Sequence, residues 1–488
     1  MQYCIIDCYT DEPSGLGVPP YLGTYPRYIA GALKNSYYIT IDDLRFWKYK
    51  KKIKRTRLNE KTDIKTYNLT VNYQNIEKIL KKSTLIIVLG VQTPGKYLSA
   101  VPGTLHEICD LLRDVKSKKV LTGPAAGLGT QKIGGKKIER LKKDFFDLVD
   151  ENFLDINDYN KIKEYSVNGA YIIKQVPHIR VIEIETGRGC NGKCSFCVES
   201  LKKIEFRDVK DIIKEVKAFY DMGCRYFRLG KQPCFYSYKN YEEMEKLLKA
   251  LNDMDLKMLH IDNANPNRVI TEEGVKITKA IVKYCTSGNV AAFGMESFDE
   301  VVIRKNNLNT SPETLYRAVQ TLNKYGRTRE NGIPKFLPGI NIVLGLIGET
   351  KETLEINYQG LKRFLDENLL LRRINIRKVV PFPNTKIFEK GLKTLKKNNR
   401  FYYSWREKIR ENIDKEMLRK VIPENTVLKN VYTEIYDGKT TFGRQFGTYP
   451  IVVGIKKRLE LQNFYDIRVV DHGRRSVTGV VREKLKKD

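Results

Sequence analysis

Glu185-Thr186-Gly187-Arg188-Gly189-Cys190-Asn191-Gly192-Lys193-Cys194-Ser195-Phe196-Cys197 places three cysteines in eight residues with the spacing C-x3-C-x2-C. The run follows Ile182 to Glu185, an apolar stretch that reads as a strand, and it is punctuated by Gly187, Gly189 and Gly192. Thiolates are the soft ligands an iron-sulfur cluster demands, and a short glycine-containing loop can wrap three of them around one cube. A cubane holds four irons, so three local cysteines leave one iron open, as a catalytic metal requires. The alternative is a closed cluster or a zinc site with its last ligand elsewhere. Zinc sites usually come as paired C-x2-C elements, and no second pair is present.

Downstream of this loop the chain alternates regularly. Ile182 to Glu185, Tyr226 to Leu229, Lys257 to Asp262, Val290 to Met295, Ile340 to Leu344 and Ile374 to Lys378 read as strands. Between them lie stretches of helical period, such as Val209, Ile212, Ile213, Val216 and Phe219, closed by Gly223. Another helix opens at Ser311-Pro312-Glu313, serine serving as N-cap and proline in the first turn. Six such units predict an α/β fold, a partial (β/α)6 TIM-like barrel with its active mouth at the carboxyl ends of the strands.

Upstream, Tyr3 to Ile6, Tyr37 to Ile41, Leu85 to Leu89 and Val120 to Leu121 alternate with helix-like stretches, predicting a doubly wound N-terminal α/β domain. Several of these runs end in glycine-rich turns, at Gly90, Thr122-Gly123-Pro124 and Gly127-Leu128-Gly129, where an open α/β sheet binds ligands. After Pro383 a charged helical stretch, roughly Lys390 to Lys420, precedes short strand-like runs from Thr426 to Val470. The expected domains are therefore residues 1–165 (doubly wound), 166–395 (barrel), 396–423 (helical linker) and 424–488 (a small basic β domain).

A chain of 488 residues is too long for one ordinary core, and its 41% hydrophobic content is that of a globular protein. No basic leader with an apolar run, and no uncharged stretch of membrane-spanning length, is found; a cytoplasmic protein with no membrane partner is expected. Nine cysteines, three of them clustered, fit metal binding in a reducing compartment better than a disulfide framework. The net charge of +30 suits either a nucleic-acid partner or the charge-dense surfaces of heat-resistant proteins. The densest basic run, Arg45 to Arg57 interleaved with Phe46, Trp47 and Tyr49, reads as a solvated hairpin or insertion in preference to the alternative, an RNA-binding arm. Cys4, Cys8, Cys109, Cys224, Cys234 and Cys285 read as core filler.

The triplet, its place after a strand and the units that follow resemble the radical S-adenosylmethionine (radical SAM) superfamily, most strongly over residues 180–385. The runs Phe227 to Pro233, Gly294 to Phe298 and Gly345 to Thr350 resemble a subgroup with an extra N-terminal α/β domain. The resemblance implies a [4Fe-4S] cluster on Cys190, Cys194 and Cys197 and S-adenosylmethionine (SAM) on its open iron. Reductive cleavage would then give a 5'-deoxyadenosyl radical. Phe196 would lie near the adenine, Gly230 and Gln232 near the methionine moiety, Glu296 and Ser297 near ribose or carboxylate groups, and Gly345 and Ile347 against the adenine. Gly230-Lys231-Gln232 stands where the family commonly has a Gly-Gly-Glu-like run. Glu349 reads as stabilising a helix N-terminus. No residue is assigned to the substrate chemistry itself.

The N-terminal domain, through Gly17 to Gly23 and Thr122 to Pro124, is similar to cobalamin-binding domains fused to this barrel. It lacks the Asp-x-His-x-x-Gly motif, so cobalamin binding and a purely scaffolding role both stay open. The C-terminal domain, with Lys420, Lys429, Lys439, Arg444, Lys456, Lys457, Arg458, Arg474 and Arg475, is similar in size and charge to the RNA-gripping TRAM module. The implied function is methyl or other group transfer to an RNA or protein side chain, with an electron donor such as ferredoxin or flavodoxin. The alternative is an oxidoreductase or lyase for a small metabolite with a non-catalytic N-terminal domain.

Overall fold

Short runs rich in Ile, Val and Leu become the strands of the N-terminal part: β1 (Gln2–Asp7), β2 (Tyr21–Leu22), β3 (Tyr37–Thr40), β4 (Ser83–Val88), β5 (Lys119–Thr122), β6 (Leu148–Val149) and β7 (Val181–Glu185). The structure, a computed structural model, describes residues 2–10, 21–49, 67–90, 101–131, 138–139 and 143–484. They fall into two compact units, residues 1–185 with 207–227, and residues 186–206 with 228–488.

In the first unit five parallel strands take the order β3-β1-β4-β5-β6. Ile39, Ile6, Ile87 and Leu121 stand side by side across four of them. β4 and β5 are almost wholly buried, as parallel strands covered on both faces must be. Cys4 and Cys8 are fully buried in this core, and Cys109 packs against it. Of the basic run, Arg45 to Tyr49 lie on the helix Ile41–Tyr49, and the residues from Lys50 on lie outside the described residues. Arg45 is held by Asp42 (2.9 Å) and Glu107 (2.8 Å), so its charge is spent inside the domain.

Burial also creates a demanding ionic knot in this unit. Arg27, on the helix Thr24–Leu33, and Glu215, on the helix Val209–Asp221, are both fully buried and paired. Arg27 donates Nε to the Gly23 carbonyl (2.9 Å) and a further N–H to the Glu183 carbonyl on β7. The second oxygen of Glu215 takes Arg207, which also donates to the Glu185 carbonyl (3.1 Å) and to Ser166 Oγ (3.2 Å). One carboxylate thus serves two guanidinium groups that fix the last residues of β7. The helices Thr24–Leu33 and Tyr159–Asn168 approach so closely that a Cβ on Gly31 would lie 2.0 Å from the Tyr165 carbonyl oxygen.

The second unit carries β8 (Tyr226–Gly230), of which Arg228 onward belongs here, then β9 (Met258–Ile261), β10 (Asn263–Ala264), β11 (Asn289–Glu296), β12 (Phe336–Leu344) and β13 (Arg373–Lys378). β10, β11, β12 and β13 form one parallel sheet in that order. The expected helix Pro312–Gly326 forms, its Ser311 side chain accepting from the Thr314 amide (3.1 Å), and it buries Leu315, Ala318, Val319 and Leu322. The architecture is mixed α/β with the parallel sheets of a partial TIM-like barrel. The chain ends in a closed five-stranded barrel of β14 (Val427–Asp437), β15 (Thr440–Arg444), β16 (Val452–Ile455), β17 (Phe464–His472) and β18 (Ser476–Lys484), in the order β14-β15-β16-β18-β17. Among the described residues no helix is long and apolar enough to cross a membrane.

Replacing Glu215 by alanine leaves two buried guanidinium groups without their counter-charge. Losing one partner of such a pair costs about 3–5 kcal/mol. Urea denaturation of Glu215→Ala should show a loss of that order; a loss under about 1 kcal/mol would mean that the arginines find other partners.

Candidate metal centre and cofactor cradle

The cysteine loop has no regular structure of its own, so its shape comes from bonds at its base and flanks. Thr186 donates its amide to the Gly230 carbonyl (3.2 Å) at the end of β8. Gly187 and Arg188 pair antiparallel with Phe206 and Glu205, closing the loop at its stem. Gly189 takes φ +78°, and a Cβ there would sit 2.4 Å from the Lys203 carbonyl oxygen, so glycine is required.

Within the loop Cys190, Cys194 and Cys197 are free thiols of intermediate exposure. The Cys197 amide donates to the Cys194 carbonyl (3.2 Å), and the Gly192 amide to Cys190 Sγ (3.2 Å). Burial pushes the Cys194 thiol up to about 12 and Cys197 up to about 11, and the neighbouring thiols and Glu296 add to the effect. Three thiolates this close together call for cationic metal among them. Among the described residues no three His, Cys, Asp or Glu side chains converge as ligands of one metal ion. A cubane asks for a different arrangement, one thiolate for each of three irons.

One side chain that the sequence did not single out ties this loop to the rest of the site. Ser195 Oγ lies 2.6 Å from Asn306 Oδ1, and the Ser195 amide donates to the Asn306 carbonyl (2.9 Å). Asn306 Oδ1 also accepts from the Ile347 amide (3.1 Å), while its Nδ2 donates to the carbonyls of Val302 and Ile347 (2.8 Å each). Asn306 follows a short helix in the run Lys305-Asn306-Asn307, where nothing periodic marks it. Phe196 and Ile347 pack against one apolar cluster of Val302, Val343, Leu346, Val379 and Ile387.

The turn after β12 depends on Glu349. Gly345 adopts φ +89° and donates its amide to Glu349 Oε2 (2.9 Å). Glu349 accepts further from Asn398 Nδ2 (3.2 Å) and from the Tyr402 hydroxyl. The expectation that Glu349 stabilises a helix N-terminus is therefore corrected. Thr350 and Thr353 already form a capping box for the helix Lys351–Asp366, and the Glu349 carboxylate holds the glycine turn instead.

The remaining residues divide into committed and uncommitted groups. Ser297 is buried, its Oγ 3.3 Å from Asn357 Oδ1 and accepting from the Asp299 amide (3.2 Å). The Gly230 carbonyl is occupied by Thr186. Gln232, in contrast, is buried with both amide atoms unpartnered, and Glu296 Oε2 is buried without a hydrogen bond. Glu296 stands at a bulge of β11 with φ +63°. Burial pushes its carboxyl up to about 8, against the opposing pull of Arg377. Orphaned buried polar atoms are rare, because each costs about 1–3 kcal/mol. A zwitterionic, ribose-bearing cofactor offers the donors and acceptors that Gln232 and Glu296 lack, so the residues present fit SAM beside a thiolate-held cluster.

Known proteins are similar to this chain. A family described as the Radical SAM superfamily matches residues 184–359. An uncharacterized protein of Methanocaldococcus jannaschii is 43% identical, with 99% of this chain and 94% of that one covered. One of Archaeoglobus fulgidus is 40% identical, with 98% and 90% covered. Among solved structures, the radical SAM methyltransferase TsrM of Kitasatospora setae, with cobalamin and a [4Fe-4S] cluster bound, is similar at a TM-score of 0.45 and 11% identity, over 79% of this chain and 74% of that one.

If Asn306 braces the loop, Asn306→Ala leaves Ser195 Oγ and the Ile347 amide short of a partner. The reconstituted variant should lose iron to a chelator several-fold faster than the wild type with an unchanged far-ultraviolet spectrum. Equal rates of loss would reduce Asn306 to a bystander.

Proposed function

This chain belongs to the radical SAM superfamily, and from that premise we propose that it is a group-transfer enzyme, with methyl as the favoured group. The observation that carries the reading is the thiol triplet on a braced loop beside the unsatisfied Gln232 and Glu296. When bound, the cluster and SAM supply reductive carbon-sulfur cleavage and with it a 5'-deoxyadenosyl radical. The chain's own residues bind, orient and exclude water. Cys190, Cys194 and Cys197 would hold the cluster, and Gln232 the polar end of SAM. Glu296 would take a ribose hydroxyl, and Phe196 and Ile347 would wall the adenine. An external one-electron donor, a ferredoxin or flavodoxin, completes the proposal.

Cobalamin is the proposed methyl carrier. Supporting it are the strand order β3-β1-β4-β5-β6 and the Thr122 hydroxyl, fully buried and without a partner at the end of β5. Gly123 follows at φ +83°, letting backbone rather than side chain line that end of the sheet. Of the other loop expected to face a corrin, Gly17 to Pro20 lie outside the described residues.

The acceptor is the finer question. An RNA or protein acceptor draws support from Lys439, Lys456, Lys457 and Arg458, all exposed on the small barrel. Arg474 is less available, since Glu407 (2.6 Å) and Glu411 hold it.

Anaerobic purification with assay of iron, sulfide, corrinoid and bound nucleic acid tests these readings together. Reduced protein given SAM should form 5'-deoxyadenosine, and Cys194→Ala should fall to background in both iron and product. Co-purifying corrinoid selects methyl transfer, and co-purifying tRNA selects an RNA acceptor. A full cluster in Cys194→Ala would sink the assignment.

A further inference from the structure

The cysteine loop borders an open surface. Lys193 stands exposed between the first two cysteines, and its carbonyl accepts from Asn307 Nδ2 (3.3 Å). Lys305, two residues before Asn307, is exposed as well; a Cβ on Gly348 would sit 2.7 Å from its Cδ. Lys386 donates Nζ to the Lys305 carbonyl (3.2 Å). Lys386 opens the short helix Lys386–Lys390, and the next residue, Ile387, donates its amide to the Ser195 carbonyl inside the loop (2.9 Å). Phe388 follows, a large apolar side chain 43% exposed. Lys193, Lys305, Lys386 and Lys390 thus gather near one exposed aromatic ring beside the loop.

Their charge has no internal use. Among the described residues these four lysines make no ion pair, whereas Lys202 and Lys203, just past the third cysteine, are held by Glu199 (2.6 Å) and Glu205 (2.9 Å). The next helix, Lys393–Ile409, extends the pattern, with Lys393 and Lys396 in a first turn that contains no acid. Cations at a helix N-terminus oppose its dipole, so helix stability does not account for them. From Lys386 to Arg400, six Lys and Arg outnumber the single acid Glu389. An exposed aromatic side chain with a charged rim is the anatomy of a protein interface, and a rim of one sign selects a partner of the other.

We propose that Phe388, with Lys193, Lys305, Lys386 and Lys390, is the docking surface for an acidic protein that donates one electron to the cluster. The proposal rests on the radical SAM reading and gives its external donor a place. The donor loses one electron and the cluster gains it; no bond forms or breaks. Electrons tunnel best along short, well-packed routes. From Phe388 such a route is one residue and one hydrogen bond to Ser195, which directly follows Cys194. A nucleic acid would gain nothing from that path, which favours a redox protein over RNA here.

A flavodoxin and a bacterial ferredoxin, both acidic, are the probes. Their binding is measured by calorimetry at about 0.1 M salt, where charges more than about 10 Å apart are largely screened. At least one should bind with a stoichiometry of one and weaken as salt is raised. The double variant Lys386→Glu, Lys390→Glu should weaken binding about tenfold or more. Phe388→Ser should weaken it with no change of charge. The pair Lys456→Glu, Lys457→Glu changes net charge equally on the small barrel and should leave binding nearly unchanged. No binding of either probe, or equal weakening by the two charge reversals, would overturn the proposal. Reduction of the reconstituted cluster by the donor should slow in Lys386→Glu, Lys390→Glu, while reduction by photoreduced deazaflavin, which needs no docking, keeps its wild-type rate. Slowing with both reductants would make the lysines structural and overturn it. Competition by tRNA that disappears in the same variant would give the surface to nucleic acid and likewise overturn it. The underlying reading is tested apart from the donor: a full cluster and 5'-deoxyadenosine with deazaflavin, but no donor binding, would fail the docking surface alone, whereas wild-type protein that takes up no iron would fail the radical SAM reading itself.

Discussion

The carboxamide of Asn306 does what the cluster loop cannot do for itself. Three thiols on an irregular loop repel one another once ionised, and their only common partner is metal that must arrive from outside. The loop therefore needs a shape before it has ligands to hold it. Asn306 supplies part of that shape by binding Ser195 within the loop and Ile347 in the turn after β12. Phe196 and Ile347 then share one apolar cluster, and Glu349 fixes the same turn from its other side. A single uncharged side chain thus sets the spacing between the thiols and the wall opposite them.

The end of β7 is held by a different principle. Glu215 is buried between Arg27 and Arg207, and those arginines bind the carbonyls of Glu183 and Glu185. Backbone hydrogen bonds alone would let the end of a strand fray, whereas charge-assisted bonds to its last carbonyls fix it. The same economy appears in unsatisfied form at Gln232 and Glu296. There the polar atoms are buried without partners, a pattern more typical of sites awaiting a ligand than of a finished core.

Much of this was legible in the sequence, for physical reasons. Buried parallel strands read as apolar runs, so β1, β4, β5, β7, β8, β9, β11, β12 and β13 stood out, and the cysteine spacing announced its own chemistry. The two-residue strands β2 and β6 carry too little pattern to detect, and β18 escaped because Ser476–Lys484 mixes charges into its alternation. Asn306 acts through backbone groups and leaves no periodic trace. Glu349 was misjudged because its position suggested the helix, while Thr350 and Thr353 had already met that need. Arg474 counted as surface charge until Glu407 and Glu411 were seen beside it. Gln232 was placed near the cofactor only by resemblance, and its two bare amide atoms give that position a physical reason.

The first unit is not continuous in sequence: the chain leaves it after Glu185, runs through the cysteine loop and returns at Arg207. Arg27 is made nearly two hundred residues before the carboxylate that neutralises it. During synthesis Arg27 therefore cannot be neutralised by its partner until Glu215 has left the ribosome, and by then all three cysteines have emerged. A fragment cut at the apparent domain boundary would bury a guanidinium with no counter-charge. The unit that seems separable by sequence is thus completed only by a segment that follows the cysteine loop.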